Sequence, residues 1–302
     1  MLMNKVKDKK LIVIVGPTAI GKTDLSIYLA QQLNCDIISA DSRQFYHQMS
    51  IGTAKPSKEE QKNINHHLID CMDIHKEYSA GKYESDALAI LNELFHKTNY
   101  VIMVGGSGMY IDAVCNGIDN IPSDKNTRSQ LNKELKTEGI ETLQKELLKV
   151  DPDHYKSMDI KNPQRLIRAL EVFRYTGKTY SSFRSNPKKH REFGIIKIGL
   201  NANRSMIYER INNRVDQMLR EGLIEEAQQL FPLRHLNALN TVGYKELFSY
   251  FKKEIELENC IEEIKKNTRR FAKRQLTWFN KDKEITWFNY NERSTILSHI
   301  KV

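Results

Sequence analysis

A phosphate-binding loop behind a short apolar segment constrains this chain more than any other feature. Residues 11–15 (Leu-Ile-Val-Ile-Val) are continuous, apolar and mostly β-branched, which is typical of a strand buried on both faces of a parallel sheet. The next eight residues match the Gly-x-x-x-x-Gly-Lys-Thr pattern of a nucleotide-binding loop of the ATP-binding type: Gly16, Pro17, Thr18, Ala19, Ile20, Gly21, Lys22 and Thr23. A strand, this loop and a following helix predict a P-loop NTPase-like fold.

The residue types of the loop predict a diphosphate site. Glycines let the backbone curl until successive N–H groups face one anion, and the helix start adds its dipole. Lys22 supplies a mobile positive charge, and we expect the Thr23 hydroxyl to hold Mg²⁺. An NTPase usually carries an Asp after another apolar strand, but the segment 100–104 is followed by Gly105-Gly106-Ser107-Gly108. This favours binding of a diphosphate over cleavage of a γ-phosphate.

Strand and helix patterns alternate along most of the chain. Apolar segments at 36–39, 100–104 and 195–200 predict further strands, and helical periodicity separates them and continues over 204–230 and 257–280. This alternation is typical of an α/β fold with a doubly wound parallel sheet, whose ligands lie at the carboxyl ends of the strands. Residues 118–192 show only helical patterns, which predict either one helix or a pair broken near Gly139, and a further helix behind Pro163. We therefore predict a catalytic core, residues 1–117 and 193–302 with C-terminal helices, and a helical insertion domain, residues 118–192.

Asp41 follows the second predicted strand, next to Ser42, Arg43 and Gln44. Its carboxylate is expected at the mouth of the P-loop, where it can act as a general base toward a nucleophile that faces the phosphate. The polar side chains behind it are suited to contacts with a nucleotide base. The local sequence is equally typical of a helix cap, and only the nearby P-loop favours function.

Basic residues are in excess and clustered. Lys plus Arg number 47 against 38 Asp plus Glu, a net charge of +9, which indicates a polyanionic partner. Residues 161–191 contain nine cations and one acid, and residues 265–274 contain six cations and no acid. Nucleic-acid binding is the function expected of such clusters, with a solvated surface as the alternative. No apolar segment approaches the roughly 20 residues of a membrane span, and we expect a cytoplasmic protein.

Two further features carry alternatives. Arg210 and Arg214 are one helical turn apart on a predicted helix, which can deliver an arginine to a leaving phosphate or simply expose both side chains. The four cysteines, Cys35, Cys71, Cys115 and Cys260, lack metal-ligand or redox spacing, so we expect reduced and mostly buried thiols. The neighbouring His66 and His67 point in different directions in any regular structure, which argues against a shared metal.

Several uncommon stretches, distributed in order through nearly the whole chain, give it a family resemblance. The chain resembles the tRNA dimethylallyltransferases, also called tRNA isopentenyltransferases. The matching stretches are the P-loop at 16–23, Asp-Ser-Arg-Gln at 41–44, Ile-Gly-Thr-Ala-Lys-Pro at 51–56, Gly-Gly-Ser-Gly-Met-Tyr at 105–110, Asn-Pro-Gln-Arg-Leu-Ile-Arg-Ala-Leu-Glu-Val at 162–172, Arg-Val-Asp-Gln-Met-Leu at 214–219, Val-Gly-Tyr at 242–244 and Lys-Arg-Gln-Leu-Thr-Trp at 273–278. Ile20 and Ser107 depart from the usual pattern without removing a functional group.

The resemblance implies transfer of a dimethylallyl group from dimethylallyl diphosphate to the exocyclic amine of an adenosine next to the anticodon. It implies catalytic roles for Asp41, Thr18, Lys22 and Arg214, with Asp41 as the proton acceptor. It implies magnesium at Thr23 and a monomer that binds the anticodon arm of tRNA through the insertion and the later basic helix. The tRNA-binding residues that it implies are Asp41, Ser42, Arg43, Gln44, Ser107, Gln164, Arg165, Leu166, Ile167, Arg168, Lys273, Arg274 and Gln275.

Three other functions fit parts of the sequence. A small-molecule P-loop kinase can also place an Asp after its second strand, although a small substrate would not require the basic insertion. A non-catalytic RNA-binding protein would not require an intact P-loop and Asp41. Prenylation of free adenine nucleotides would use the same site without the basic clusters.

Overall fold

The computed structural model describes residues 9–184 and 188–301, which divide into two compact units. Unit 1 contains the residues up to Asn116 and those from His190 onward, and unit 2 is Gly117–Lys189. The sequence-based boundaries are 117/118 and 192/193. No helix of the described part is long and apolar enough to cross a membrane.

Unit 1 is built on a parallel sheet of six strands, so the predicted fold class is confirmed. The strands are β1 Lys10–Val15, β2 Ile37–Ser39, β3 His66–His67, β4 Tyr100–Val104, β5 Gly194–Asn201 and β6 Ile285–Asn289, in the spatial order β3-β2-β4-β1-β5-β6. Four of them coincide with predicted strands, whereas β3 and β6 were not predicted. Central β1 carries the P-loop between its neighbours β4 and β5.

Thirteen α-helices surround the sheet or form unit 2 in the described residues. Those before the insertion are α1 Lys22–Leu33, α2 Lys58–Gln61, α3 Ala80–Leu94 and α4 Gly108–Asn116. Unit 2 contains α5 Lys125–Glu138, α6 Ile140–Val150, α7 Pro152–Ser157 and α8 Pro163–Thr176. The remainder are α9 Arg204–Arg220, α10 Leu223–Leu230, α11 Tyr244–Phe251, α12 Leu257–Phe279 and α13 Arg293–Lys301.

The helical pattern predicted over 204–230 forms α9 and α10, which are separated at Gly222, a residue with a φ of 101°. The break places Glu226 in the first turn of α10.

Both faces of the sheet are covered, as the apolar strands require. Alternate residues of β1 enter opposite cores: Leu11 and Val13 pack in the core under α3, α4, α10 and α11, and Ile12 and Ile14 pack in the core under α1 and α13. The loops at the carboxyl ends of β1, β2 and β4 are therefore held by a sheet without a solvent-exposed face.

Unit 2 has its own apolar core. Helices α5 and α6 are a pair separated at Gly139 and not one helix, and α8 packs against both of them. Asn162 caps α8 by accepting hydrogen bonds from the N–H groups of Gln164 (3.1 Å) and Arg165 (3.3 Å), and Pro163 occupies its first turn. Leu166 and Ile167 behind this cap are 0% and 1% exposed.

Candidate functional site

Three loops meet where the central strands end. The N–H of Ala40 after β2 donates to the carbonyl of Val104 at the end of β4 (2.7 Å), and Ser107 N–H donates back to Ala40 (3.1 Å). The Ser107 hydroxyl accepts from Ser42 N–H (2.9 Å). A Cβ on Gly105 would lie 2.1 Å from the Ala40 carbonyl oxygen, so the two loops touch only because this residue is glycine. These contacts fix the loops that follow β2 and β4 against each other at the carboxyl edge of the sheet, where the site was predicted.

The P-loop adopts the conformation that its sequence predicts. Gly16 has a φ of 143°, and a Cβ there would lie 2.6 Å from the Leu200 carbonyl oxygen of β5. Gly21 precedes α1 without a side-chain cap, so the first N–H groups of the helix stay available to an anion. The side chains of Ala19 and Ile20 are buried in the core. Ile20 can therefore serve a diphosphate only through its backbone.

Lys22 is surrounded by backbone carbonyls of the P-loop and by the charged side chains of Arg214 and Asp41. Its Nζ donates to the carbonyls of Gly16 (3.0 Å) and Pro17 (2.8 Å), which leaves one of its three ammonium donors for a ligand. Burial, followed by the charge of Arg214, lowers the pKa of Lys22 to about 7, and Asp41 opposes that shift. A neighbouring anion would restore the charged form.

Arg214 on α9 reaches the same loop. Its Nη1 donates to Thr18 Oγ1 (3.4 Å), and Arg210, one turn earlier, donates through Nε to the Ala19 carbonyl (2.7 Å). Burial and then the charge of Arg210 lower the pKa of Arg214. Both arginines are thus directed at the P-loop, and the alternative of two exposed helix arginines is wrong.

Asp41 faces the P-loop. Its Oδ1 accepts from the N–H groups of Arg43 (2.8 Å) and Gln44 (3.3 Å), while no described residue donates to Oδ2. A turn follows it, not a helix, so the alternative of a helix cap is wrong. Burial raises the pKa of Asp41, against the N–H donors of Arg43 and Gln44 and the charges of Lys22 and Arg43. A carboxylate with a raised pKa is a stronger base.

These groups line one cleft. Its lining residues come from the P-loop and α1 (Thr18, Ala19, Gly21, Lys22, Thr23), from the β2 loop (Asp41, Gln44), from the segment after it (Thr53, Ala54), from β4 and its loop (Val104, Gly105, Gly106), and from α9 and α12 (Arg214, Phe271, Gln275). The four residues with implied catalytic roles all line this cleft.

Gln275 closes one side of the cleft as a bridge between two loops. Its Oε1 accepts from Thr18 N–H (2.8 Å), and its Nε2 donates to the Gly106 carbonyl (3.1 Å). A Cβ on Gly106 would lie 2.0 Å from that Nε2. Gln275 is 6% exposed and bonded at both ends of its amide, so the predicted direct contact of its side chain with tRNA does not fit.

Two other predicted tRNA contacts are also corrected. Leu166 and Ile167 were predicted to bind tRNA, but their side chains are core residues of unit 2 because they lie on the inner face of α8. Gln164 and Arg165 are exposed. Arg168 directs Nη1 to Glu171 (3.0 Å) and to the Pro122 carbonyl (2.8 Å), so much of its bonding capacity is used within the unit.

The structure divides the basic clusters into structural and exposed cations. Arg174 pairs with Glu134 and Glu146, and Arg191 pairs with Glu84, although sequence counting treated both arginines as surface charge. Lys265 pairs with Asp216. On α12 the exposed cations are Arg270, Lys273 and Arg274, and Arg274 lies over the Phe271 ring.

Some cleft residues were missed by sequence analysis. Thr53 and Ala54 lie in the matching stretch 51–56, but their place in the cleft depends on a turn without strand or helix periodicity. Phe271 looked like one aromatic residue among several near a basic cluster. Gln44, which was predicted to contact tRNA, lines the cleft as well, and its Nε2 donates to the carbonyls of Thr53 and Ala54, both at 3.1 Å.

Metal-binding residues are few. No group of three His, Cys, Asp or Glu side chains suited to a metal ion occurs among residues 9–184 and 188–301. Thr23 lines the cleft beside Lys22, and Mg²⁺ is commonly held by few protein oxygens together with substrate phosphates and water. A single hydroxyl at this position fits that coordination. Of the cysteines, only Cys71 is exposed.

Comparison with known proteins identifies a family. The family model for IPP transferase matches residues 44–282. The tRNA dimethylallyltransferase of Christiangramia forsetii is 56% identical over 285 residues, which cover 94% of each chain.

Solved structures of similar fold agree with this match. The full-length tRNA isopentenylpyrophosphate transferase of Bacillus halodurans aligns with a TM-score of 0.71 at 37% identity and covers 97% of this chain and 96% of its own. A eukaryotic dimethylallyltransferase, described as acting on tRNA, aligns with a TM-score of 0.78 at 28% identity over 95% of this chain and 75% of its own.

Proposed function

The chain belongs to the IPP transferase family of tRNA dimethylallyltransferases, and from that premise we propose how its own residues carry out the reaction. The reaction transfers a dimethylallyl group from dimethylallyl diphosphate to the exocyclic amine of an adenosine next to the anticodon in tRNA. This membership removes the small-molecule kinase and the non-catalytic RNA-binding protein as alternatives.

The diphosphate is held by the P-loop. The uncapped N–H groups at the start of α1 bind its oxygens, and Lys22, Thr18 and Arg214 neutralise the charge that grows as the carbon–oxygen bond breaks. Stabilisation of developing charge by groups already in place is usually the largest catalytic contribution. The electron pair of the broken bond leaves with the diphosphate.

Asp41 accepts the proton of the attacking amine. Its Oδ2 has no described donor, and burial raises the pKa of the carboxylate, so both its direction and its basicity suit a proton acceptor. The amine nitrogen forms the new bond to the allylic carbon as its proton moves to Asp41. The shared cleft of Asp41 and Lys22 is the observation on which this proposal rests.

The Thr23 hydroxyl would hold Mg²⁺. The ion, when bound, supplies further neutralisation of the diphosphate charge. We place no acidic ligand beside it.

The acceptor adenosine leaves its base stack to enter the cleft. The Ser107 hydroxyl accepts a hydrogen bond from Ser42 and has no described acceptor for its own proton, so it can donate to the nucleotide. The exposed residues Gln164 and Arg165 of unit 2, and Lys273 and Arg274 of α12, contact the tRNA backbone. We further propose that the protein acts as a monomer in the cytoplasm, where its tRNA substrate is found.

Mass spectrometry of nucleosides tests this function. Transfer RNA incubated with the protein, Mg²⁺ and dimethylallyl diphosphate should yield adenosine enlarged by one five-carbon prenyl group, whereas free adenosine monophosphate should not react. Asp41→Asn should lose at least about a hundredfold in kcat, the usual range for general-base removal, while tRNA still binds. Wild-type turnover by Asp41→Asn would refute the role of Asp41 as general base. Phosphoryl transfer from ATP without prenylation would refute the proposed prenyl-transfer function.

A further inference from the structure

Glu226 is a carboxylate bound by four hydrogen-bond donors outside the cleft. Its Oε2 accepts from the N–H groups of Ser50 (2.9 Å) and Ile51 (2.8 Å), and its Oε1 accepts from Gly52 N–H (2.9 Å) and from the Tyr244 hydroxyl (2.6 Å). These four partners are uncharged, so the carboxylate is stabilised by converging dipoles rather than by an ion pair. The Glu226 carboxylate therefore holds the backbone of residues 50–52 in one fixed position.

The segment that Glu226 binds is the loop 50–54, which lines one side of the cleft with Thr53 and Ala54. Gly52 packs so closely on the Tyr244 ring that a Cβ would lie 2.6 Å from it. The Thr53 hydroxyl donates to the Met49 carbonyl (2.8 Å) and closes the loop on itself. Without Glu226, three consecutive backbone N–H groups would lose their acceptor, at a cost in free energy for each donor left unpaired.

The loop in turn holds Gln44. The carbonyls of Thr53 and Ala54 accept both protons of the Gln44 side-chain amide, each at 3.1 Å. The backbone N–H of the same Gln44 donates to Asp41 Oδ1 (3.3 Å). A continuous chain of contacts thus runs from Glu226 through the loop 50–54 and Gln44 to the carboxylate that faces the P-loop.

We propose that Glu226 is a positioning residue for the transfer reaction, which fixes the loop 50–54 and through Gln44 sets the direction of Asp41. This inference rests on the proposed role of Asp41. Glu226 itself touches neither substrate. Because a misplacement of about 1 Å in a reacting group can lower a rate about a hundredfold, the contribution of Glu226 should appear in kcat.

The diphosphate half of the cleft has separate supports. Lys22, Thr18 and Arg214 depend on β1, α1 and α9, and none of them hydrogen-bonds to the loop 50–54 in the described structure. Loss of Glu226 should therefore leave the affinity for dimethylallyl diphosphate within about twofold of wild type. A lower kcat with an unchanged dissociation constant is the expected signature.

The test compares two variants with a matched control. Glu226→Ala should lower kcat by about 30- to 100-fold. Glu226→Gln keeps the size and one acceptor oxygen, but its NH₂ faces N–H donors, so a smaller loss is expected. Glu225→Ala removes the same charge from the same helical turn at an exposed position, and its kcat should stay within about twofold of wild type.

A double-mutant cycle distinguishes positioning from a general loss of stability. If Glu226 acts through Gln44, Glu226→Ala combined with Gln44→Ala should lower kcat no further than the more damaging single change. Multiplying effects would overturn the proposal, as would a loss of activity that follows only the unfolded fraction measured by circular dichroism. An inactive wild type would instead refute the proposed function, and a Glu226→Ala variant with wild-type kcat beside an inactive Asp41→Asn would refute only the role of Glu226.

Discussion

The affinity for dimethylallyl diphosphate should decrease as the pH rises above neutrality, because Lys22 loses its charge there. Burial and the nearby Arg214 lower its pKa to about 7, whereas an unperturbed lysine titrates near 10.4. A bound diphosphate raises this pKa again through its negative charge. Binding is therefore coupled to uptake of a proton in the pH range between the free and the bound pKa.

The size of the effect follows from this linkage. At pH 6 about nine tenths of Lys22 is charged in the free protein, and at pH 8 about one tenth is charged. If only the charged form binds well, the dissociation constant should rise about tenfold between pH 6 and pH 8 and about tenfold more by pH 9, where the slope reaches about 1.4 kcal/mol per pH unit. The affinity is fully present below pH 7 and is lost above it.

Isothermal titration calorimetry can measure this coupling directly. The ligand is a dimethylallyl diphosphate analogue in which sulfur replaces the bridging oxygen, so that it does not react. Titrations at pH 8 in buffers of different ionisation enthalpy should show uptake of about one proton per site. Lys22→Arg, which stays charged, controls for titration of the ligand itself, and its dissociation constant should stay nearly flat above pH 7.

A flat profile for the wild-type protein between pH 6 and 9, without proton uptake at pH 8, would refute the reasoning. It would mean that Lys22 is already charged beside the carbonyls of Gly16 and Pro17. A slope shared equally by wild type and Lys22→Arg would assign the titration to the ligand.

Three further perturbations follow from the structure. Gly106→Ala places a Cβ on the amide of Gln275, so the bridge to Thr18 should break and steady-state kinetics should show a loss of about tenfold or more in kcat/KM; unchanged kinetics would remove Gln275 from the site. Leu166→Ala should destabilise unit 2 by about 2–5 kcal/mol in chemical denaturation, while the exposed neighbour change Gln164→Ala stays within about 0.5 kcal/mol; equal effects would contradict the burial of Leu166. Lys273→Glu should weaken tRNA binding and flatten its dependence on the logarithm of salt concentration by about one unit or more, while Lys252→Glu should not; identical salt slopes would remove this part of α12 from the tRNA surface.

Local patterns predicted the centre of the fold well. β1, β2, β4 and β5 are short apolar segments next to recognisable loops, so their identity follows from residue type alone. The P-loop requires a strand before it and a helix behind it, and both are present. The cleft position of Asp41 follows from the rule that parallel strands end at one edge.

Residues whose role depends on distant partners were not predictable. β3 consists of His66 and His67, which have no apolar signal and form a strand only by pairing with β2. β6 does contain β-branched and aromatic residues, Ile285 to Phe288, but it is short and follows a charged turn. Arg174 and Arg191 looked like surface cations because their acidic partners are far away in sequence.

Helix α12 shows how one element organises the diphosphate half of the cleft. Gln275 bridges the P-loop and Gly106, and Trp278, one turn later on the same face, packs on Gly108 and donates from Nε1 to Asp112 (3.1 Å). The turn behind the helix is tied to β5, since the buried Lys197 donates to Asp282 (2.6 Å) and Glu284 (2.7 Å).

The acceptor half is supported differently. Asp41 and Gln44 depend on the loop 50–54, which is held from α10 and α11 by Glu226 and Tyr244. Two groups of helices thus support the two proposed substrate sites, and both sites lie at the carboxyl edge of the sheet. Because the supports are separate, a change that shifts the loop 50–54 can slow transfer while the diphosphate stays bound. A change in α12 can weaken diphosphate binding while Asp41 keeps its position.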